Sequence, residues 1–169
     1  MGEPSLAGRL LVATPLISDD TFRRTVILLL AHREEGALGV VLNRPTDTPA
    51  AELLVGWGAR AAAPGVVFVG GPVDHDSVIG LAAGGAIDLH ASPDDVSDAP
   101  TEVRLFAGSA GWGPGQLEDE VGERAWWVVE GEPDDTLTRD PDGLWSRVLR
   151  RQAPPTAWFA TFPDDLRTG

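Results

Sequence analysis

Short apolar runs punctuated by Gly, Pro and paired acids dominate this chain, and their lengths predict strands more often than helices. Residues 9–13 (RLLVA) read as a strand stopped by Thr14-Pro15. After a polar turn over 19–24, residues 25–31 (TVILLLA) have the length of a buried strand. Glu34-Glu35-Gly36 is a turn and 37–42 (ALGVVL) the returning strand, so the pair reads as a hairpin ended by Asn43-Arg44-Pro45. Further strands are expected at 65–69 (GVVFV), 78–82 (VIGLA), 102–107 (EVRLFA) and 125–130 (AWWVVE). Gly70-Gly71-Pro72 interrupts pairing, and the polar stretch 88–100 reads as a loop.

Helical signals are fewer. Thr48-Pro49 looks like an N-cap and first helical residue of a helix carrying Leu53 and Leu54 and ending near Gly56 or Gly58. A glycine-rich turn, GWGPGQLE at 111–118, is followed by a short helix with Leu117 and Val121 on one face. Asp140-Pro141 opens a last helix running to about Gln152, with Leu144, Trp145, Val148 and Leu149 inward. Trp158, Phe159 and Phe162 suggest that the Pro154-Pro155 tail docks. The absence of strict β-α alternation gives an α+β fold, expected as one domain over 1–169 with 1–7 and about 163–169 disordered.

Composition narrows the chemistry. The 169 residues contain no Cys, Lys or Tyr, which excludes disulfides, thiolate metal sites, a P-loop lysine and Schiff-base catalysis. No apolar run approaches the ~20 residues that span a bilayer, and no secretory signal is visible, so a cytoplasmic protein without membrane insertion is expected. The net charge is −13, yet residues 1–45 carry five Arg and five acids, so the surplus lies wholly beyond them. Such a balance disfavours direct nucleic-acid binding. Arg147, Arg150 and Arg151 are the best basic patch, and they also complement a helix C-terminus.

Four collinear segments, GRLLVATP (8–15), FRRTVILLLAH with GALGVVLNRP (22–45), GGPV (70–73) and LFAGSAGWGPGQLEDE (105–120), resemble the AlgH/YqgE family of bacterial proteins. The resemblance runs from about residue 8 to 127 and is looser beyond; FPDD at 162–165 only echoes the usual family ending. It implies a strongly bent or bifurcated, mostly antiparallel sheet forming a pseudo-barrel, with about three helices outside. It implies little about activity: the family is largely of unknown function, and one branch carries a transcription-regulator label from a proposed role in alginate synthesis.

Candidate chemistry concentrates in the family segments. His32 ends an apolar strand, either as an acid/base or ligating group or as a hydrogen-bonded strand end. Asn43-Arg44 and Gly70-Gly71 follow buried strands, where Arg44 can hold a carboxylate or phosphate and the glycines can cradle an anion. Equally, Asn43 can cap a turn, Arg44 can pair with Glu118 or Glu120, and the glycines can serve a close chain crossing. Trp112 stacks a planar ligand or locks the turn, and Gln116 completes the set. Ser109 partly mimics a nucleophile elbow, but every His precedes it. His75, in Asp74-His75-Asp76, reads as a solvated loop more readily than a metal site.

The expected function is therefore a non-enzymatic domain that binds a small molecule or protein partner, with no cofactor, metal or catalytic residue assigned. Its expected surface is one cleft formed by His32, Asn43, Arg44, Gly70, Gly71, Trp112 and Gln116. Two alternatives stand beside it. One is a hydrolase whose water is activated by carboxylates drawn from Asp19, Asp20, Glu118 and Glu120. The other is a regulator of transcription acting indirectly.

Overall fold

The computed structural model of the chain describes residues 5–163. Of the stretches expected to be disordered, 1–4 and 164–169 lie outside the described residues, whereas Ser5 and Leu6 are hydrogen-bonded to His32. The fold is α+β: one large, bent nine-stranded sheet with four short α-helices among the described residues.

The first hairpin forms as its pattern requires. Strands β1 (Leu10–Ala13), β2 (Val26–Arg33) and β3 (Gly36–Val41) pair antiparallel, with a bulge between Leu29 and Ala31. Their runs are apolar where both faces are covered, and β2 turns polar at His32 and Arg33 as it leaves the core. Period-two alternation sends Leu10, Val12, Val26 and Val40 into one apolar cluster, and Leu11, Ala13, Ile27 and Val41 into another. Helix α4 (Leu144–Arg150) caps the first through Leu144, Trp145, Val148 and Leu149. Helix α2 (Gln116–Gly122) caps the second through Leu117.

Strand β4 (Pro45–Pro49) pairs only with β5 (Val66–Val69) among the described strands. It was not expected from its sequence, since two prolines confine it to an edge. The helix expected from Thr48 to Gly56 or Gly58 is one turn, α1 (Ala50–Leu53), followed by a 3₁₀ turn at Trp57–Arg60. Thr48 does not cap it; its N–H donates instead to Thr46 Oγ1. Strand β6 (Val73–Ala82) begins five residues before the expected run and forms a hairpin with β7 (Gly85–Ile87). Strand β9 (Trp126–Val129) pairs with β1, and α3 (Pro133–Thr136) is a short unpredicted turn of helix. In the tail, Phe159 and Phe162 pack on the α4 cluster, but Trp158 is 72% exposed.

The main departure concerns the glycine-rich segment. Strand β8 runs from Arg104 to Trp112, through residues expected to turn; the turn begins only at Gly113. Gly108, at φ +78°, redirects the strand without ending it. Before Gly108, β8 pairs in parallel with β5 and antiparallel with β6; after it, Gly111 and Trp112 pair with β3. The sheet therefore branches here. It bends without closing, with β4 and β9 as the ends of its main path.

Candidate functional site

A cleft of about 430 Å³ opens where the turn before β2, the residues after β3 and the start of α4 meet. Its lining includes Asp20, Arg23, Arg24, Arg44, Asp142 and Trp145. Asp19 organises the turn: Oδ2 accepts from Phe22 N–H at 3.0 Å and its carbonyl from Arg23 N–H at 2.9 Å. Arg24 follows in a left-handed conformation, φ +57°, a placement costing roughly 1–2 kcal/mol for a residue with a Cβ.

Asn43 holds that strained residue in place. Its Oδ1 accepts from Val26 N–H at 3.0 Å, and its Nδ2 donates to the Arg24 carbonyl at 2.9 Å. The buried amide thus acts like one more strand residue beside β2. The Arg24 guanidinium stacks 3.9 Å from the Trp145 ring centroid and donates to the Phe162 carbonyl at 3.0 Å. The indole is itself anchored, its Nε1 donating to the Ala13 carbonyl at 2.8 Å. Arg44 donates to the Arg23 carbonyl. Three guanidiniums thus converge on one concavity, against two carboxylates.

The other expected site residues do not join this cleft. His32 lies opposite Ala37 across the hairpin, and Trp112 opposite Ala37 on the other side. From Ala37 to Val41, just before Asn43, is roughly 13 Å at ~3.3 Å per residue, so β3 separates the two groups. The single cleft expected from the sequence is thus divided between the two ends of β3.

At the His32 end the side chains have structural partners. His32 Nδ1 accepts from Leu6 N–H at 2.9 Å, which leaves the proton on Nε2, 3.3 Å from Glu118 Oε2. Trp112 and Trp126 both donate through Nε1 to Glu120 Oε1 at 2.9 Å, and their rings meet edge to face. Gln116 closes the turn, accepting from Gly113 N–H and donating to Glu120 Oε2, both at 3.0 Å. Trp112 is therefore a lock, and Glu118 and Glu120 are engaged here and not with Arg44.

Gly70 and Gly71 sit at the branch of the sheet. Gly70 N–H donates to the Ala107 carbonyl and its own carbonyl accepts from Val41 N–H, both at 2.8 Å. A Cβ on Gly70 would lie 2.3 Å from the Gly108 carbonyl oxygen, and one on Gly71 2.2 Å from the Ser109 carbonyl. Close crossing of β8 accounts for both glycines.

The alternative chemistries also find no converging set. Asp19 and Asp20 precede β2, whereas Glu118 meets His32 near its far end. Ser109 is buried. Among the described residues, no three His, Asp or Glu side chains group as metal ligands. In the expected basic patch, Arg147 reaches Asp140 at 3.6 Å, and Arg151 forms a two-pronged bond to buried Asp135 at 2.8 and 2.7 Å. The Asp135 hydrogen bond comes first in raising the Arg151 pKa, and burial opposes it.

Two features escaped the sequence. Arg23 and Arg24 stand next to each other before a buried strand within the charge-balanced residues 1–45, a signal that was available. Arg104 gave no such signal. It is 1% exposed at the start of β8; Nη1 donates to the Thr136 and Thr138 carbonyls (3.3 and 2.7 Å), Nη2 to those of Ala62 and Ala63 (3.2 and 2.6 Å). Its guanidinium also lies 4.3 Å from the Phe68 ring centroid. Burial, reinforced by nearby Arg139 and opposed by Glu102, holds its pKa down to about 10.

Comparison with known proteins identifies the family of the chain. A family model described as AlgH-like matches residues 10–157. The chain is 51% identical to a UPF0301 protein of Streptomyces avermitilis, over 95% of this chain and 94% of that protein. It is 42% identical to a UPF0301 protein of Thermobifida fusca, over 98% and 96%. A crystal structure of a Corynebacterium diphtheriae protein superposes with TM-score 0.85 at 30% identity, covering 95% of this chain and 94% of that one. The solution structure of AlgH from Pseudomonas aeruginosa gives TM-score 0.63 at 29% identity, covering 84% and 86%.

Proposed function

For a chain that belongs to the AlgH-like family, we propose a non-catalytic role as a binding domain that holds a small anionic molecule in the arginine-lined cleft. The observation that carries this reading is the convergence of Arg23, Arg24 and Arg44 on one concavity in a chain of net charge −13. Guanidiniums present paired donors that match the two oxygens of a carboxylate or phosphate. The buried Trp145 indole backs the Arg24 guanidinium at the edge of this mostly polar cleft and holds it in place. The arginines already hold neighbouring groups and the lining contains Asp20 and Asp142, so an anion enters by exchange and affinity is modest.

A cytoplasmic setting belongs to the same reading, in keeping with a chain that has no cysteine; no helix among the described residues is long and apolar enough to cross a membrane. Any regulatory effect on transcription is then indirect, since nucleic acid meets a predominantly acidic molecule.

Thermal shift with inorganic phosphate, citrate and malonate tests the proposal. A ligand at ten times its Kd adds about 1.4 kcal/mol, a rise of roughly 3–6 °C for a chain of this length. Arg44→Gln removes that rise. No response to any of the three, or an equal response in the variant, overturns the reading.

A further inference from the structure

A second and larger cavity, about 600 Å³, is floored by the apolar cluster around Trp57, Ala82 and Val103. Ala86, Ile87, Val96 and Leu137 also line it, and the β6–β7 hairpin forms one side. It is within the size range of small-ligand sites.

Three of its walls are braced without any ligand. Trp57 Nε1 donates to the Ala91 carbonyl at 2.7 Å, fixing the indole. Leu137 lies between Thr136 and Thr138, whose carbonyls both accept from Nη1 of buried Arg104. Glu102 is held by Arg139 at 2.7 Å. Walls already ordered lose little freedom when a ligand enters, so the cavity is pre-organised.

Its charge is one-sided. Asp88, Glu102 and Asp134 line it, and no arginine does. Arg139 compensates Glu102, and Arg60, 5.8 Å from the Trp57 ring centroid, is balanced by Asp94 at 3.8 Å, which leaves Asp88 and Asp134 to set the potential of the mouth. An apolar body meets the floor well, and a positive charge meets the rim.

We propose that this cavity binds a small organic cation, a primary ammonium on a compact aromatic or branched-alkyl body. The body lies against Ile87, Val96 and Leu137, and the ammonium faces Asp88 and Asp134. The site is separate from the arginine-lined cleft and has the opposite charge preference, so either can fail without the other.

Amide and indole NMR shifts of the full chain, titrated with phenethylammonium, 2-phenylethanol and phenylacetate, test it. The ammonium perturbs residues 83–87, Leu137 and the Trp57 indole; the neutral alcohol binds at least about fivefold more weakly, and phenylacetate leaves these signals unmoved. Ala86→Trp, at an exposed position, fills the mouth and abolishes the response. Asp134→Asn weakens ammonium binding about fivefold, and Arg44→Gln leaves it unchanged. Phenylacetate binding as tightly as the ammonium, undiminished binding in Ala86→Trp, or no response to the ammonium at 10 mM overturns the proposal.

Discussion

Arg104 offers the sharpest test of how this fold is held. Its guanidinium ties two segments distant in sequence, Ala62–Ala63 and Thr136–Thr138, to the middle of the sheet. A buried ion pair can often be replaced by apolar residues, because both charged partners are removed together. Here the acceptors are four main-chain carbonyls, and substitution of Arg104 leaves them behind. The two short bonds, 2.7 and 2.6 Å, matter most. Each stranded carbonyl costs about 1–3 kcal/mol, while losing the buried charge returns part of that. Arg104→Met is therefore expected to destabilise by about 3 kcal/mol. Arg104→Lys loses about 2 kcal/mol, since one ammonium serves one pair of carbonyls where the fork serves both. Urea denaturation followed by Trp fluorescence reads this as a lower midpoint at unchanged slope. The sign of the pH dependence also follows. The folded pKa, held down to about 10 by burial, lies below that of an ordinary arginine, so stability linked to this group rises with pH only above about 10. Below about 10 both states hold the proton, and the difference between wild type and Arg104→Met stays constant from pH 6 to 9. Arg104→Met within about 0.5 kcal/mol of wild type, or Arg104→Lys worse than Arg104→Met, would refute the reasoning.

Three further outcomes are expected. Gly71→Ala places a Cβ against the Ser109 backbone at φ +152° and should destabilise by about 3 kcal/mol or more, seen as a lower melting temperature; an unchanged melt with a lost phosphate response would instead favour an anion cradle. Glu120→Ala strands two indole N–H groups and should cost about 2–3 kcal/mol with a red shift in Trp emission, whereas Glu120→Gln, which keeps an acceptor, should cost less than half as much. His32→Phe removes the acceptor of the Leu6 amide, so hydrogen exchange there should quicken by about tenfold, equivalent to ~1.4 kcal/mol, while amides of β1 stay protected; an unchanged Leu6 rate would remove His32 as the anchor of that segment.

How much of this was legible in the sequence differs by element. The strands of the first hairpin, β5 and β9 could be read from apolar runs of strand length, because burial on both faces leaves that mark locally. The inward face of α4 was read from its spacing. Edge strand β4, rich in proline, and the three-residue β7 carry no such pattern, and α1 is shorter than its Thr-Pro signal suggests because the chain turns away after Leu53. Among candidate site residues, Arg44 lines a cleft, and Asn43 proves to be the clamp behind Arg24. His32 and Trp112 answer to Glu118 and Glu120 on helix α2, and Gln116 answers to Glu120 within that helix.

By itself, the sequence determined the fold class, the family, most strand positions and the exclusion of thiol and lysine chemistry, since each depends on residue type or short-range periodicity. Only the tertiary structure decided which groups share a surface. Strand direction places His32 and Asn43 at opposite ends of one hairpin, and the bend at Gly108 turns an expected loop into the strand that joins both halves of the sheet. Long-range pairing sets both, and local sequence does not encode the distance between residues that are brought together only by strands folding across one another.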